Sequence, residues 1–449
     1  MNGLGRLGVG NRAFGALWLG QTVSALGTQV SMVALPLIAV LVLRVQPFEL
    51  GILAALETLP YLLLSLPAGV FVDRTDRRRV MVVCDVARAI ALAVTAGAIA
   101  TGSLSIGLLC IVALTVGSFS VFFSVAYTSY VATILTSDRL VAGNQRLEVS
   151  ESGAAVVGPS IGGTVLQLAG GAAATALDGV SYLVSAIAIL ASRPETAPDP
   201  RPPASHIGLL DGIGEGLRRV AGDRILRDLA GSTAVLNLGS GMLLAVVVLF
   251  ATREVGLDAA GFGLVYGLGN IGFIFGALSV GVLTQRVGIG RTFAWSTYVT
   301  AAAMILIALA GGGLAALLLL AGRFIGAAAT PLFNVNALSL RQARVNDAIM
   351  GRVNATFLFI DWGPLPVGSL IGGGLATVFG PRAALIAAAG CGLVSAVWIR
   401  WSPASRLTSL EELAAETRER DADAASADWP DPTTETDREL PALDPPMVA

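Results

Sequence analysis

The sequence predicts an all-α polytopic membrane protein, with twelve transmembrane helices arranged as two pseudo-symmetric six-helix bundles. Three observations predict it. Of 449 residues, 54% are hydrophobic and 13% charged, and the mean hydropathy is +0.75; an ordinary soluble domain carries about 25% charged residues. Apolar runs recur along the whole chain, each long enough to cross a hydrocarbon core about 30 Å thick. The first six runs also align with the second six, residue against residue.

The runs lie near 13–43, 48–71, 80–100, 104–127, 149–169 and 173–192, then 229–252, 260–284, 292–311, 313–334, 350–378 and 382–401. They are spans 1 to 12. A backbone in hydrocarbon must satisfy its own hydrogen bonds, so runs of this length are helices. With both termini inside, the outer loops hold only Arg44, Arg253 and Arg382. Arg88 and Arg323 lie within spans, and every other arginine is inside. That asymmetry orients a multi-pass protein of the cell membrane with cytoplasmic termini. All 29 basic residues are arginine, a usage that reads as a GC-rich bacterial genome.

The spans divide the chain into an N-terminal bundle (1–192), a cytosolic linker (193–228), a C-terminal bundle (229–402) and a tail (403–449). The linker opens RPETAPDPRPP, whose prolines keep it extended. Its later stretch, IGLLDGIGEGLRRVAGDRILRDL, alternates apolar and charged residues at helical spacing. It reads as a helix lying on the membrane surface. The tail carries twelve acidic residues and reads as disordered, with a short helix at SLEELAAETRER.

Several function classes are disfavoured. Cys84, Cys110 and Cys391 fall inside apolar runs without metal or disulfide spacing. His206 is the single histidine, so a histidine metal site or a catalytic triad has no material. No G-x-x-x-x-G-K-[ST] phosphate loop is present. No enzyme chemistry, metal or cofactor is expected, nor any nucleic-acid partner, and the first run is too long for a cleavable signal peptide.

The internal repeat is specific. Leu50-Gly51-Ile52 meets Phe262-Gly263-Leu264; Gly69 meets Gly281, Arg74 meets Arg286 and Arg79 meets Arg291; Gly158-Pro159 meets Gly363-Pro364. Two halves in the same orientation imply parallel repeats about an axis along the membrane normal.

On these residues the chain resembles the major facilitator superfamily, over all twelve spans. GVFVDRTDRRR at 69–79 resembles its loop signature between helices 2 and 3, Gly-x-x-x-Asp-Arg-x-Gly-Arg-Arg, with Asp76 at the second glycine as in the siderophore and macrolide exporter branch. GPSIGG at 158–163 resembles the helix-5 signature Gly-Pro-x-x-Gly-Gly of proton-coupled exporters. LRQARVNDAIMGRVNATF looks like that branch's entrance to helix 11. The resemblance implies a monomeric secondary transporter working by alternating access, with protons, membrane lipids and a small molecule as its partners. Export of a hydrophobic or amphipathic compound, such as an antibiotic, drug or siderophore, is the reading that follows. Import by proton symport, and a transport-inactive sensor or interaction protein, stand as alternatives.

Four groups of residues carry the expected chemistry. Gln21, Ser24, Thr28 and Ser31 form one stripe on span 1, and Thr233, Asn237 and Ser240 repeat it on span 7. They line a shared central cavity or act as polar glue between helices. Glu57, Arg323 and Asp361 lie near mid-membrane, where an unpaired charge costs at least ~2.5–3.5 kcal/mol. Arg323 shares a stripe with Thr330 and Asn334. Arg323 paired with Asp361 would leave Glu57 free to exchange a proton, since a carboxyl in low dielectric holds its proton more readily. A static brace is the alternative, and Asp178 on span 6 is a further acid. Proton-coupled exporters of this superfamily often carry an acid on helix 1; span 1 here has none.

Gly158, Pro159, Gly162 and Gly163, with Gly363 and Pro364, mark close and bent helix contacts on which the halves would rock. The inner turns supply a gate of Gly69, Asp73, Arg74, Arg77, Arg78, Gln285, Arg286 and Arg352. Asp73 would reach Arg352 at the entrance to span 11 when the inner side is shut. Gln285 takes the place of Asp73 in the second half, so the latch is expected to be asymmetric. Asp85 and Arg88, Arg146, Glu148 and Glu151, and Asn346 and Asp347 read as an inner charge belt.

Overall fold

The computed structural model describes residues 12–135, 137–192, 209–409 and 413. Those residues are almost wholly helical, and no strand occurs among them. The helices are α1 (Arg12–Leu41), α2 (Pro47–Asp73), α3 (Arg77–Ala100), α4 (Ile106–Ile134), α5 (Ser137–Ala191), α6 (Leu209–Gly222) and α7 (Arg224–Arg253). Then follow α8 (Ala259–Val287), α9 (Ile289–Ala308), α10 (Ala315–Arg344), α11 (Asp347–Trp362), α12 (Pro364–Phe379) and α13 (Pro381–Trp401).

Among the described residues, ten helices are long and apolar enough to cross a membrane. One of them, α5, turns back at Gly170, where φ is +82° and only glycine is relaxed; its limbs are spans 5 and 6. α9, 20 residues long, packs between α10 and α13 as span 9. α11 and α12 are the two pieces of span 11, broken at Gly363–Pro364. The twelve expected spans are thereby all accommodated.

Several helices run past the expected ends. α5 starts at Ser137 rather than near 149, and α10 continues to Arg344. Charged residues continue a helix outside hydrocarbon, where a hydropathy criterion stops counting it. Caps fix the starts. Asp76 accepts hydrogen bonds from the backbone N–H groups of Arg78 (3.0 Å) and Arg79 (3.3 Å), satisfying donors that a helix start leaves open. The aspartate that replaces a glycine in the loop motif is therefore the N-cap of α3.

The two halves repeat one layout. In the first, α1 lies against both limbs of α5; in the second, α7 lies against α12 and α13. Small residues set the approach. A Cβ on Gly162 would stand 2.8 Å from the Val30 carbonyl oxygen of α1, and one on Gly372 would stand 2.7 Å from Cα of Met242 on α7. Leu37, Ile38, Val246, Leu249, Phe250 and Leu385 fill the apolar core at the arginine-poor end.

The linker differs from its expected form. The helix breaks at Asp223, whose carboxylate accepts from Ile225 and Leu226 N–H (3.0 and 3.2 Å) and from Arg344 Nε (2.8 Å). Arg224–Leu229 therefore begin α7 rather than end a surface helix. α6 docks on α11: Glu215 pairs with Arg352, and Gly216 faces the Arg352 carbonyl and Thr356. The proline-rich 193–208 lies outside the described residues. The start of the tail is also placed. Leu407 accepts from Gly290 N–H at the start of α9 (3.1 Å), and Leu413 is fully buried. The remainder of the tail lies outside the described residues.

Candidate functional site

The halves meet at two glycine crossings near the arginine-poor end. In one, Gly163 of α5 faces Gly263 of α8, and a Cβ on Gly263 would stand 3.1 Å from Gly163 Cα. In the other, Gly51 of α2 faces Gly373 of α12, with the corresponding distance 3.0 Å. Backbone meets backbone in both, the approach that small residues permit in membranes. Polar contacts seal the same end. Gln167 donates to Asp258 (2.9 Å) and accepts from Ala260 N–H (2.9 Å), while Arg253 donates to the Val45 carbonyl (2.9 Å). The Gly261 N–H, then the Gln167 amide, hold the exposed Asp258 carboxyl below the ordinary carboxylate range. A depressed folded value means this link is present above the ordinary value and lost only as pH falls through the depressed one. A moderately acid medium leaves the seal intact.

At the arginine-rich end the corresponding glycines make no crossing. Gly69 and Gly281 look onto open space: a Cβ added at either would meet no heavy atom within 4 Å. Asp73 is exposed and meets Arg77 at 3.9 Å in an i,i+4 pair, and Arg352 is engaged by Glu215. The Asp73–Arg352 contact is not formed in this conformer. Arg74, Gln285 and Arg286 are exposed. Arg78 departs from the gate role: its guanidinium donates to the carbonyls of Ile189 (2.9 Å) and Leu190 at the end of α5. It satisfies open carbonyls at a helix C-terminus within its own half.

Two chambers lie in the interior, with Gln29 lining both. The first, about 260 Å³, is polar. Gln21, Ser24 and Thr28 of α1 line it with Tyr61, Arg88, Ser120, Phe123 and Glu151. The second, about 210 Å³, lies at the junction of the halves. Apolar groups of α1, α5, α7 and α8 line it, with Tyr266, Asn270, Phe273 and Arg323. Tyr61 stacks on Trp362 across the halves, ring centroids 4.1 Å apart.

On α1 the polar stripe lines the first chamber and also joins helices. Gln21 donates to Ser185 (2.8 Å) and Thr28 shares a hydrogen bond with Tyr182 (3.1 Å), so these side chains face the cavity and tie α1 to α5 together. Ser31 is buried. On α7, Thr233 is buried and Asn237 donates to the Asp361 carbonyl (2.9 Å) beside the Gly363–Pro364 break. Broken membrane helices are held by such partners. Ser240 and Thr330 return their hydroxyls to Leu236 and Gly326 carbonyls one turn back, and Asn334 is exposed.

The charges are arranged differently from expectation. Arg323 does not meet Asp361. Its guanidinium lies over Tyr266 (4.8 Å) and Phe273 (5.8 Å), and Nε has no acceptor. The cation near Asp361 is Arg341, itself over Phe357 at 4.6 Å. Counting residues from the span ends assumed straight, equal rods. α10 is 30 residues long and span 11 breaks at Gly363, so equal counts do not give equal depth.

Asp85 and Arg88 are not a membrane-edge pair. Asp85 is 0% and Arg88 6% exposed, they pair with each other, and the Arg88 guanidinium is held between Phe123 (4.3 Å) and Tyr182 (4.2 Å). Asp178 is buried next to them, accepting from Ser181 Oγ at 3.1 Å, and Gly27 of α1 leaves the room it occupies. Glu57 is exposed. It lies one turn before Tyr61 on α2, within electrostatic reach of the same tyrosine as Arg88. Two buried acids, Asp85 and Asp178, thus share the first half's interior with Arg88. Arg88 was legible only as an opposite charge three residues from Asp85 inside an apolar run.

Two six-span halves packed about a central cavity, with glycine motifs at their crossings, define the fold of the major facilitator superfamily of transporters. The chain belongs to that superfamily's transmembrane secretion effector family (MFS_3), whose model matches residues 8–437. It is 31% identical over 212 residues to the multidrug efflux pump Tap of Mycobacterium bovis and of Mycobacterium tuberculosis, across 46% of this chain. That match spans 50% of those relatives' length. It is 27% identical to Tap of Mycolicibacterium fortuitum over 374 residues, 80% of this chain and 88% of that protein. Among solved structures, a variant of the nucleoside transporter NupG superposes with TM-score 0.72 at 14% identity, covering 86% of this chain and 99% of that one. A bacterial homologue of the iron transporter ferroportin, solved inward-facing, gives 0.66 at 17%, covering 87% and 99%.

Proposed function

We propose that the protein is a secondary exporter of hydrophobic or amphipathic small molecules, driven by proton entry through alternating access. The observation that carries the reading is the chamber at the junction of the halves, continuous through Gln29 with a polar chamber of the first half, beside halves that cross at glycines at the arginine-poor end and make no such crossing at Gly69 and Gly281. The arginine asymmetry makes the uncrossed end cytosolic, so this conformer would load substrate from the cytosol. Neutral hydrogen-bonding groups and aromatic rings on apolar walls suit amphipathic cargo. Relatives named as multidrug efflux pumps support the direction. The exposed Arg74 and Arg79 would meet anionic head groups, and the molecule would work as a monomer.

The proton step belongs to the acids of the first half. One arginine can balance one carboxylate, and further buried charge is expensive. The Asp85–Arg88 pair is closed on itself, while Glu57 faces open space, so Glu57 is the exchanging group and Asp178 a reserve acid. Proton binding at Glu57 would permit the halves to rock; substrate arrival would release it. Glu57→Gln should abolish the dependence of transport on an imposed pH gradient while ethidium binding persists. An unchanged gradient dependence would remove Glu57 from the scheme. Direction is checked in cells: deleting an exporter raises ethidium loading, whereas deleting an importer lowers it.

The inner latch is a further expectation of alternating access. When the arginine-rich end shuts, Asp73 would leave Arg77 for Arg352, an ion pair that Gln285 cannot make on the other side. Asp73→Asn should slow transport several-fold more than Gln285→Ala at matched expression. Equal slowing would show that the latch is symmetric.

A further inference from the structure

We propose that the second chamber is a site for the anionic group of an amphipathic organic acid, with Arg323 as its counter-charge. This names a substrate class for the proposed exporter and rests on that reading. Arg323 enters from α10 with its Cβ and Cγ against Gly269, where any side chain would clash (Cβ contact 2.7 Å). The stem is thus held in one place. Its guanidinium face covers the Tyr266 and Phe273 rings. A guanidinium donates in its plane, so stacking leaves every N–H pointing along the edges. None finds an acceptor: Arg323 makes no hydrogen bond and no ion pair among the described residues, and Nε is buried.

An arginine stays charged in proteins. A half-buried cation with a buried, unmatched Nε donor, at the junction of two halves that must move, is expensive unless something arrives to match it. The remaining walls are mostly apolar, including Val33, Pro36, Leu244, Val248 and Phe262, with the amides of Gln29 and Asn270 as the other polar groups. A small inorganic anion would leave those walls unmatched. A carboxylate or sulfonate on an aromatic body satisfies both, forking onto the guanidinium edge while its ring packs on the walls. The 210 Å³ chamber accepts a bicyclic aromatic head, and a larger cargo would extend past Gln29 into the first chamber.

The test uses 2-naphthoate and 2-naphthamide, equal in shape and different in charge, titrated by calorimetry into the full chain in lipid nanodiscs. The wild type is expected to bind naphthoate at least tenfold tighter than naphthamide. Arg323→Gln should bring the two within about twofold by weakening naphthoate alone, and Arg323→Lys should retain part of the preference. A charge-independent loss, or equal affinities in the wild type, would overturn the anion site; the wild-type comparison stands even if a variant fails to fold. Ethidium extrusion by cells carrying the wild type separates the two ideas. Extrusion with no naphthoate preference sinks the anion site and keeps the exporter. Preference with extrusion of neither ethidium nor preloaded 2-naphthoate supports the anion site and counts against export.

Discussion

Gly163→Leu is expected to reduce transport at least tenfold and to shift the protein toward conformers open at the arginine-poor end. A Cβ at Gly163 would overlap the Ala259 carbonyl oxygen and stand 3.0 Å from Cα of Gly263. These are backbone atoms, which cannot rotate away, so α5 and α8 must separate. Overpacking of this kind costs about 1–3 kcal/mol, and each ~1.4 kcal/mol moves a two-state ratio tenfold. The penalty falls on the conformer described here, because only its crossing is closed. Gly263→Leu should act alike, since its Cβ would meet the Pro159 carbonyl. Gly97→Leu, on a helix position with open space around it, is the control. Spin labels at Ser103 and Gly313, one on each half, read the outcome. A lengthened distance is expected for Gly163→Leu and an unchanged one for Gly97→Leu.

Arg88→Ala should destabilise the fold by about 3–5 kcal/mol, the range for stranding one partner of a buried ion pair. Asp85 would be left charged and fully buried, with the aromatic slot between Phe123 and Tyr182 empty. Replacing both partners, with Asp85→Leu and Arg88→Met, should recover more than half of that loss, because apolar side chains of similar volume need no counter-charge. Thermal unfolding in detergent compares the three chains. If the double variant melts no higher than Arg88→Ala, the pair is not what holds this interior together.

The architecture was legible in the sequence because hydrocarbon leaves few choices. Runs of bilayer length must be helices, and two aligned sets of six must form similar bundles. GPSIGG led directly to the α5 crossing: Gly162 meets Val30 within the half, and Gly163 meets Gly263 across it. What stayed hidden depends on where long side chains end. Arg323 and Arg341 sit on one helix, and only packing decides that the first stacks on Tyr266 and the second neighbours Asp361. Asp85 and Arg88 resemble edge charges by composition, and their burial needs α5 folded back at Gly170 to bring Tyr182 over them. The docking of α6 was invisible for a similar reason. Its charged face suggested lipid head groups, yet Glu215 is taken by Arg352.

The most direct test of proton-driven export is transport by the purified protein in sealed proteoliposomes of known orientation, with ethidium as probe and an imposed pH gradient. With the arginine-rich end facing the neutral side, ethidium should accumulate on the acidic side, against its own gradient, as protons flow the other way. Ethidium moving together with the protons, or moving at a rate indifferent to the gradient, would contradict it.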